Sequence, residues 1–127
     1  MKALLKRVSV SVVTFFMVMG AMLTIAPAAQ ADATSYPTMT VQAGAAARTA
    51  PYAESWSFIG WVTSDGWRNP NGQASWVACY KDAGWATGNY SSNRWFYAYV
   101  NYSGGSAPVW AYVHSSFVTN QSSVPAC

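Results

Sequence analysis

Charge is scarce in this sequence, and it does not cluster where a polyanion could use it. Across 127 residues there are seven Lys and Arg against four Asp and Glu. Lys2, Lys6 and Arg7 fall at the very start. Beyond them Arg48, Arg68, Lys81 and Arg94 balance Asp32, Glu54, Asp65 and Asp82. A neutral body excludes a phosphate-tracking nucleic-acid binder, which needs clustered Lys and Arg. It equally excludes a polybasic membrane-surface domain. Histidine is scarcer still, since His114 stands alone. There is no His-x-His or Cys-x-x-Cys spacing to hold zinc. Nor is there a G-x-S-x-G elbow, a Walker loop or a dinucleotide loop. Glu54, Asp65 and Asp82 would suffice in number for a glycosidase pair. Asp65-Gly66 reads better as a turn, however, and Glu54 as a loop residue. The expectation is a protein that is not an enzyme, with no metal and no cofactor.

Long apolar runs are also lacking, with one exception at the N-terminus. Met1–Arg7 is positive, Val8–Ile25 is apolar, Pro27 interrupts, and Ala29-Gln30-Ala31 supplies a small-x-small pattern. This reads as a secretory signal over 1–31, cut after Ala31. An uncleaved anchor is the competing reading, because Val8–Ile25 approaches the shortest length that spans a bilayer. Pro27 and the cleavage pattern favour removal. No second apolar run follows, so the exported chain is expected to be extracellular and free of the membrane. Cysteine occurs twice, as Cys79 and Cys127. In an oxidising compartment these two are expected to pair. In the chain-entropy model such a cross-link stabilises by about 4 kcal/mol.

What the chain does have is aromatics. All seven Trp, all eight Tyr and Phe58, Phe96 and Phe117 lie after Ala31. A small core cannot take so many large rings, so several are expected at the surface, where clustering marks a binding face. Residues 32–44 read as a flexible lead-in and 45–127 as one domain. No apolar repeat of helical period persists there. Short β-rich runs appear instead at Phe58–Thr63, Trp76–Tyr80, Trp95–Tyr102 and Val109–Val113. Turn residues separate them at Ser64-Asp65-Gly66, Asn69-Pro70-Asn71-Gly72 and Ser103-Gly104-Gly105-Ser106. That pattern predicts a small all-β barrel or sandwich. Strand alternation puts Phe96, Ala98 and Val100 on one face and Trp95, Tyr97 and Tyr99 on the other. The first set suits a barrel interior, which leaves Trp95, Tyr97 and Tyr99 as an outward row unless a loop covers them. Arg48 is expected to be structural, lying over a Tyr or Trp ring.

Four stretches, in order, resemble the bacterial SH3 domains (SH3b). Ala47-Arg48-Thr49-Ala50-Pro51 resembles the opening motif, with Ala50 where Gly is usual. Ile59-Gly60 resembles the following strand, and Asn93-Arg94-Trp95-Phe96-Tyr97-Ala98 the strand that starts with Trp. Ala111-Tyr112-Val113-His114-Ser115-Ser116-Phe117-Val118 resembles the closing motif, with Ala111 where Gly is usual. In that motif a strand enters a short 3₁₀ turn and a last strand. The spacing of Cys79 and Val124-Pro125-Ala126-Cys127 is similar to that of short secreted SH3b proteins with one disulfide. The resemblance implies a small SH3-like β-barrel. Arg68–Asn93 exceeds a minimal SH3b, so long loops are expected around Trp76–Tyr80.

The resemblance also implies a peptide groove. Trp95 takes the place of its Trp, while His114 and Phe117 take the places of the Pro and Tyr of the 3₁₀ turn. Stiff aromatic side chains grip an extended peptide at low entropic cost. The expected function is a secreted, non-enzymatic module binding cell-wall peptide or peptidoglycan through Trp95, Tyr97, Tyr99, His114 and Phe117. Two alternatives stand beside it. One is a carbohydrate-binding module that stacks sugars on Trp95, Tyr97 and Tyr99. The other is an inhibitor or protein partner of a secreted enzyme.

Overall fold

The computed structural model describes residues 36–127. The signal segment expected over 1–31 lies outside these residues. Within them, seven strands follow one another: β1 (Thr38–Gln42), β2 (Ala46–Arg48), β3 (Phe58–Trp61), β4 (Gly72–Thr87), β5 (Ser91–Val100), β6 (Val109–His114) and β7 (Val118–Thr119). Three-residue 3₁₀ turns at Ser55–Ser57, Gly66–Arg68 and Ser115–Phe117 are the only helical elements among the described residues. The all-β expectation therefore holds.

The strands form one antiparallel sheet in the order β3-β2-β6-β5-β4-β1-β7. The sheet is not closed, because β3 and β7 remain as its two edges. It coils around a single core all the same. Val118 from β7 and Val62 beyond β3 pack into the same cluster as Met39, Val77, Phe96, Ala98, Val100 and Val113. Burial, not a closing hydrogen-bond ladder, brings the two edges together.

Two expectations about the chain change. β1 lies inside the stretch read as a flexible lead-in. Thr38-Met39-Thr40-Val41-Gln42 alternates strictly, and both Met39 and Val41 are wholly buried. The segment is short and its neighbours are small and polar, which hid a core strand. The loop expected after Tyr80 is instead the far half of β4, which runs on to Thr87 with a register shift between Asp82 and Ala86. Arg94 pairs bidentately with Asp82 at 2.7 and 2.8 Å and lies 3.9 Å from the Tyr80 ring centroid. These contacts fasten the hairpin below its tip.

One buried polar side chain seals an end of the core. Gln73 Nε2–H donates to the Thr63 and Asn101 carbonyls at 2.7 and 2.9 Å. Its Oε1 accepts from the Asn101 N–H and the Ser75 hydroxyl. Every major hydrogen-bonding group of that amide is matched, as burial demands. The C-terminus runs beside β4, where Tyr80 N–H donates to Pro125 O and Cys127 N–H to Tyr80 O. The expected Cys79–Cys127 disulfide is present, with Cα atoms 4.9 Å apart.

Candidate binding groove and aromatic face

β5 and β6 carry their rings in register. Trp95 faces His114, Tyr97 faces Tyr112, and Tyr99 faces Trp110. The opposite faces of these strands are filled by Phe96, Ala98, Val100, Ala111 and Val113, all buried. Alternation therefore places six aromatic rings on one outer surface. Ala111 is wholly buried opposite Ala98.

The six do not share one environment. Trp95 is only 1% exposed. Its indole N–H donates to Gly84 O at 2.8 Å, and its ring meets His114 edge to face at 5.0 Å. Gly84 N–H in turn donates to Pro51 O at 3.1 Å. A Cβ at Gly84 would sit 2.6 Å from the Tyr52 ring, so this close approach needs glycine. The far half of β4 thus folds onto the Pro51–Tyr52 turn and roofs Trp95. The expected outward Trp95 platform is corrected on this point. The continuation of β4, which sequence patterning read as loop, supplies the cover.

His114 is buried, and both of its ring nitrogens are engaged. Nε2 lies 2.9 Å from Ser92 O, a pure acceptor, so this nitrogen carries a proton. Nδ1 accepts from the Ser116 hydroxyl at 2.8 Å. Ser116 Oγ accepts from Asn89 N–H at 3.1 Å, and Asn89 Nδ2–H donates to Ser116 O at 3.0 Å. The ring therefore ties the 3₁₀ turn to the β4–β5 tip. It offers a ligand its flat surface and no free nitrogen.

Trp95, His114 and Phe117 do meet, around a small cavity of ≈ 90 Å³ that also touches Arg48, Ala53 and Ala86. Arg48 and Ala53 are shared with a more open depression of ≈ 260 Å³ that ends at Phe58 and Trp61. The two adjoin at Arg48 and Ala53, and together they are the candidate groove along the β2–β3 side. Arg48 Nη1 donates to Glu54 O at 2.8 Å and to Ser57 Oγ at 3.0 Å. Its guanidinium lies 5.9 Å from the Phe58 centroid, so it packs on Phe and not on the Tyr or Trp expected. Burial lowers its pKa from the ordinary arginine value, and the Glu54 charge partly opposes this. An arginine so placed keeps its charge. Phe58 and Trp61 pack at 4.8 Å between centroids, and Trp61 is 54% exposed.

Tyr97 and Tyr99 belong elsewhere. Tyr97 stacks near-parallel on Trp110 at 5.5 Å, and Tyr99 near-parallel on Trp76 at 5.9 Å. Tyr99 also contacts Trp110 at 5.2 Å, and Tyr36 meets Trp110 edge to face. The five residues proposed from sequence therefore divide. Trp95, His114 and Phe117 wall the groove, while Tyr97 and Tyr99 sit in an aromatic face outside it. Sequence reasoning missed Phe58, Trp61, Trp76 and Trp110. A signal for Trp110 existed, since Trp110, Tyr112 and His114 alternate with Ala111 and Val113. Trp76 likewise alternates with Ser75 and Val77.

No protein-family model, characterised protein or solved structure matches this chain.

Proposed function

We propose that the protein is an exported, non-enzymatic module of SH3b-like architecture that binds cell-wall peptide in the groove between β2–β3 and the β4–β5 tip. The observation that carries this reading is that the two depressions adjoin. Trp95, His114 and Phe117 stand at one end and Phe58 and Trp61 at the other, joined through Arg48 and Ala53. The passage from β6 through the Ser115–Phe117 turn into β7 supports the SH3-like reading. So does the order of the four motifs. The disulfide suits an oxidising compartment.

An extended peptide would lie across Phe58 and Trp61. Exposed Trp and Tyr grip such chains with few rotamers to freeze. The guanidinium of Arg48 offers a carboxylate its remaining N–H groups, since only Nη1 has a partner among the described residues. Trp95 acts as the floor of this groove.

The test is cosedimentation of the disulfide-bonded protein with insoluble peptidoglycan sacculi. The protein is expected in the pellet. A Phe58→Ala, Trp61→Ala double variant should bind about tenfold more weakly, the scale of losing an aromatic anchor. Equal pelleting of the variant, or no pelleting of the wild type, would show the reading to be wrong.

A further inference from the structure

We propose that the outer face of β4, β5 and β6 is a second binding surface, separate from the groove, that takes an uncharged saccharide chain. Trp76, Tyr99, Trp110 and Tyr97 follow one another across three strands at 5.9, 5.2 and 5.5 Å between ring centroids. At the Trp76 end lies a depression of ≈ 310 Å³ bordered by Thr38, Ala74, Trp76, Tyr99, Asn101 and Pro108. No charged side chain lines it. The charges that border the array in strand register, Lys81 opposite Trp95 and Arg48 opposite Tyr112, both stand at its Tyr97 end.

Three features select the ligand class. The rings are large, and Trp76 is 51% exposed, so apolar area is on offer. Their polar tips are not used by the protein. Neither indole N–H of Trp76 and Trp110, nor the hydroxyls of Tyr97 and Tyr99, bonds to any described residue, and none of the atoms on Trp110, Tyr97 and Tyr99 is a buried group left without a partner. The surface thus combines flat apolar bodies with free hydrogen-bonding tips, which matches the apolar faces and ringed hydroxyls of a sugar. The third feature excludes strand addition by an extended peptide. β5 is hydrogen-bonded to β4 on one edge and to β6 on the other, so its backbone has no row of free groups for strand addition. An anionic polymer is disfavoured because no cation lines the Trp76 depression and the bordering charges do not run along the array.

The test uses soluble, uncharged sugars, because whole sacculi would report both surfaces. The full protein is titrated calorimetrically with chitohexaose and with cellohexaose. Binding of at least one is expected. Trp76→Ala should weaken it about tenfold, Trp76→Tyr should retain most of it, and Trp61→Ala should leave it unchanged. Thermal unfolding of each variant checks that the fold survives. Three results would overturn the proposal. Neither sugar binds; or Trp61→Ala abolishes binding while Trp76→Ala does not; or the protein sediments as a dimer that Trp76→Ala dissociates, making a second copy the occupant. The groove is tested apart from this face by the Phe58 and Trp61 variant on sacculi in the presence of excess soluble sugar.

Discussion

At the scale of single residues, the exposed rings and the buried ring have different jobs. Of the seven Trp, five are substantially exposed and Trp95 is buried. Its hydrogen bond to Gly84 O joins β5 to the tip of β4, and its ring supports His114. Trp95→Ala should therefore cost about 3–5 kcal/mol of stability, the range for deleting a large buried aromatic. Trp95→Phe should cost less but still unfold earlier, because Gly84 O loses its partner at about 1–3 kcal/mol. Denaturant titration of the three proteins checks both. A Trp95→Ala variant as stable as the wild type would mean that the ring is accessible in solution. Alternation alone placed Trp95 correctly on the outer side of β5. It could not report the cover, because Gly84 meets Trp95, and Pro51 meets Gly84, through contacts that leave no periodic trace.

At the scale of elements, legibility followed pattern length. β5 and β6 alternate over several residues against an obviously apolar partner set, and both were readable to within a few positions. β1 was not, since its two buried side chains are flanked by threonines and small residues that equally suit a loop. The distal part of β4 carries Lys81, Asp82 and Gly84 and lacks an apolar face. It is strand because β5 pairs with it and because Arg94 and Asp82 clasp it from opposite strands. That clasp gives a pH-dependent contribution. The hydrogen bond from Arg94, reinforced by its charge, holds the Asp82 carboxyl below its ordinary value, against a small opposing effect of burial. A carboxylate depressed on folding adds stability above its unfolded pKa of about 3.9, and that stability fades as the pH falls through the lower folded value. Both groups are exposed, so the effect is small. Stability profiles of wild type and Asp82→Asn should differ at neutral pH and converge in strong acid. A difference that persists unchanged into strong acid would assign the variant's effect to something other than this charge pair.

At the scale of the whole molecule, the fold has two open edges and few elements long enough to stand alone. A sheet of this size is marginal unless something outside the hydrogen-bond ladder restrains it. The sequence made the disulfide legible, because two cysteines in a chain expected to be exported leave one pairing. It did not make the open edges legible, because closure depends on how strand ends meet in space. The disulfide and the core do complementary work. The core gathers β3 and β7 around Met39, Val77 and Ala98, while Cys79–Cys127 pins the last residue beside the middle of β4. The bridged residues are 48 apart in sequence, so the cross-link removes much freedom from the unfolded chain. Replacing both cysteines by serine should lower stability by about 2–5 kcal/mol, read from guanidinium unfolding midpoints at matched slopes. The groove involves neither cysteine, and Cys79 only borders the aromatic face beside Tyr97, so below its lowered midpoint the double variant should bind sacculi as the wild type does. A double variant of unchanged stability would place the restraint in the core alone. A folded double variant that no longer binds would show instead that the C-terminal segment shapes a binding surface.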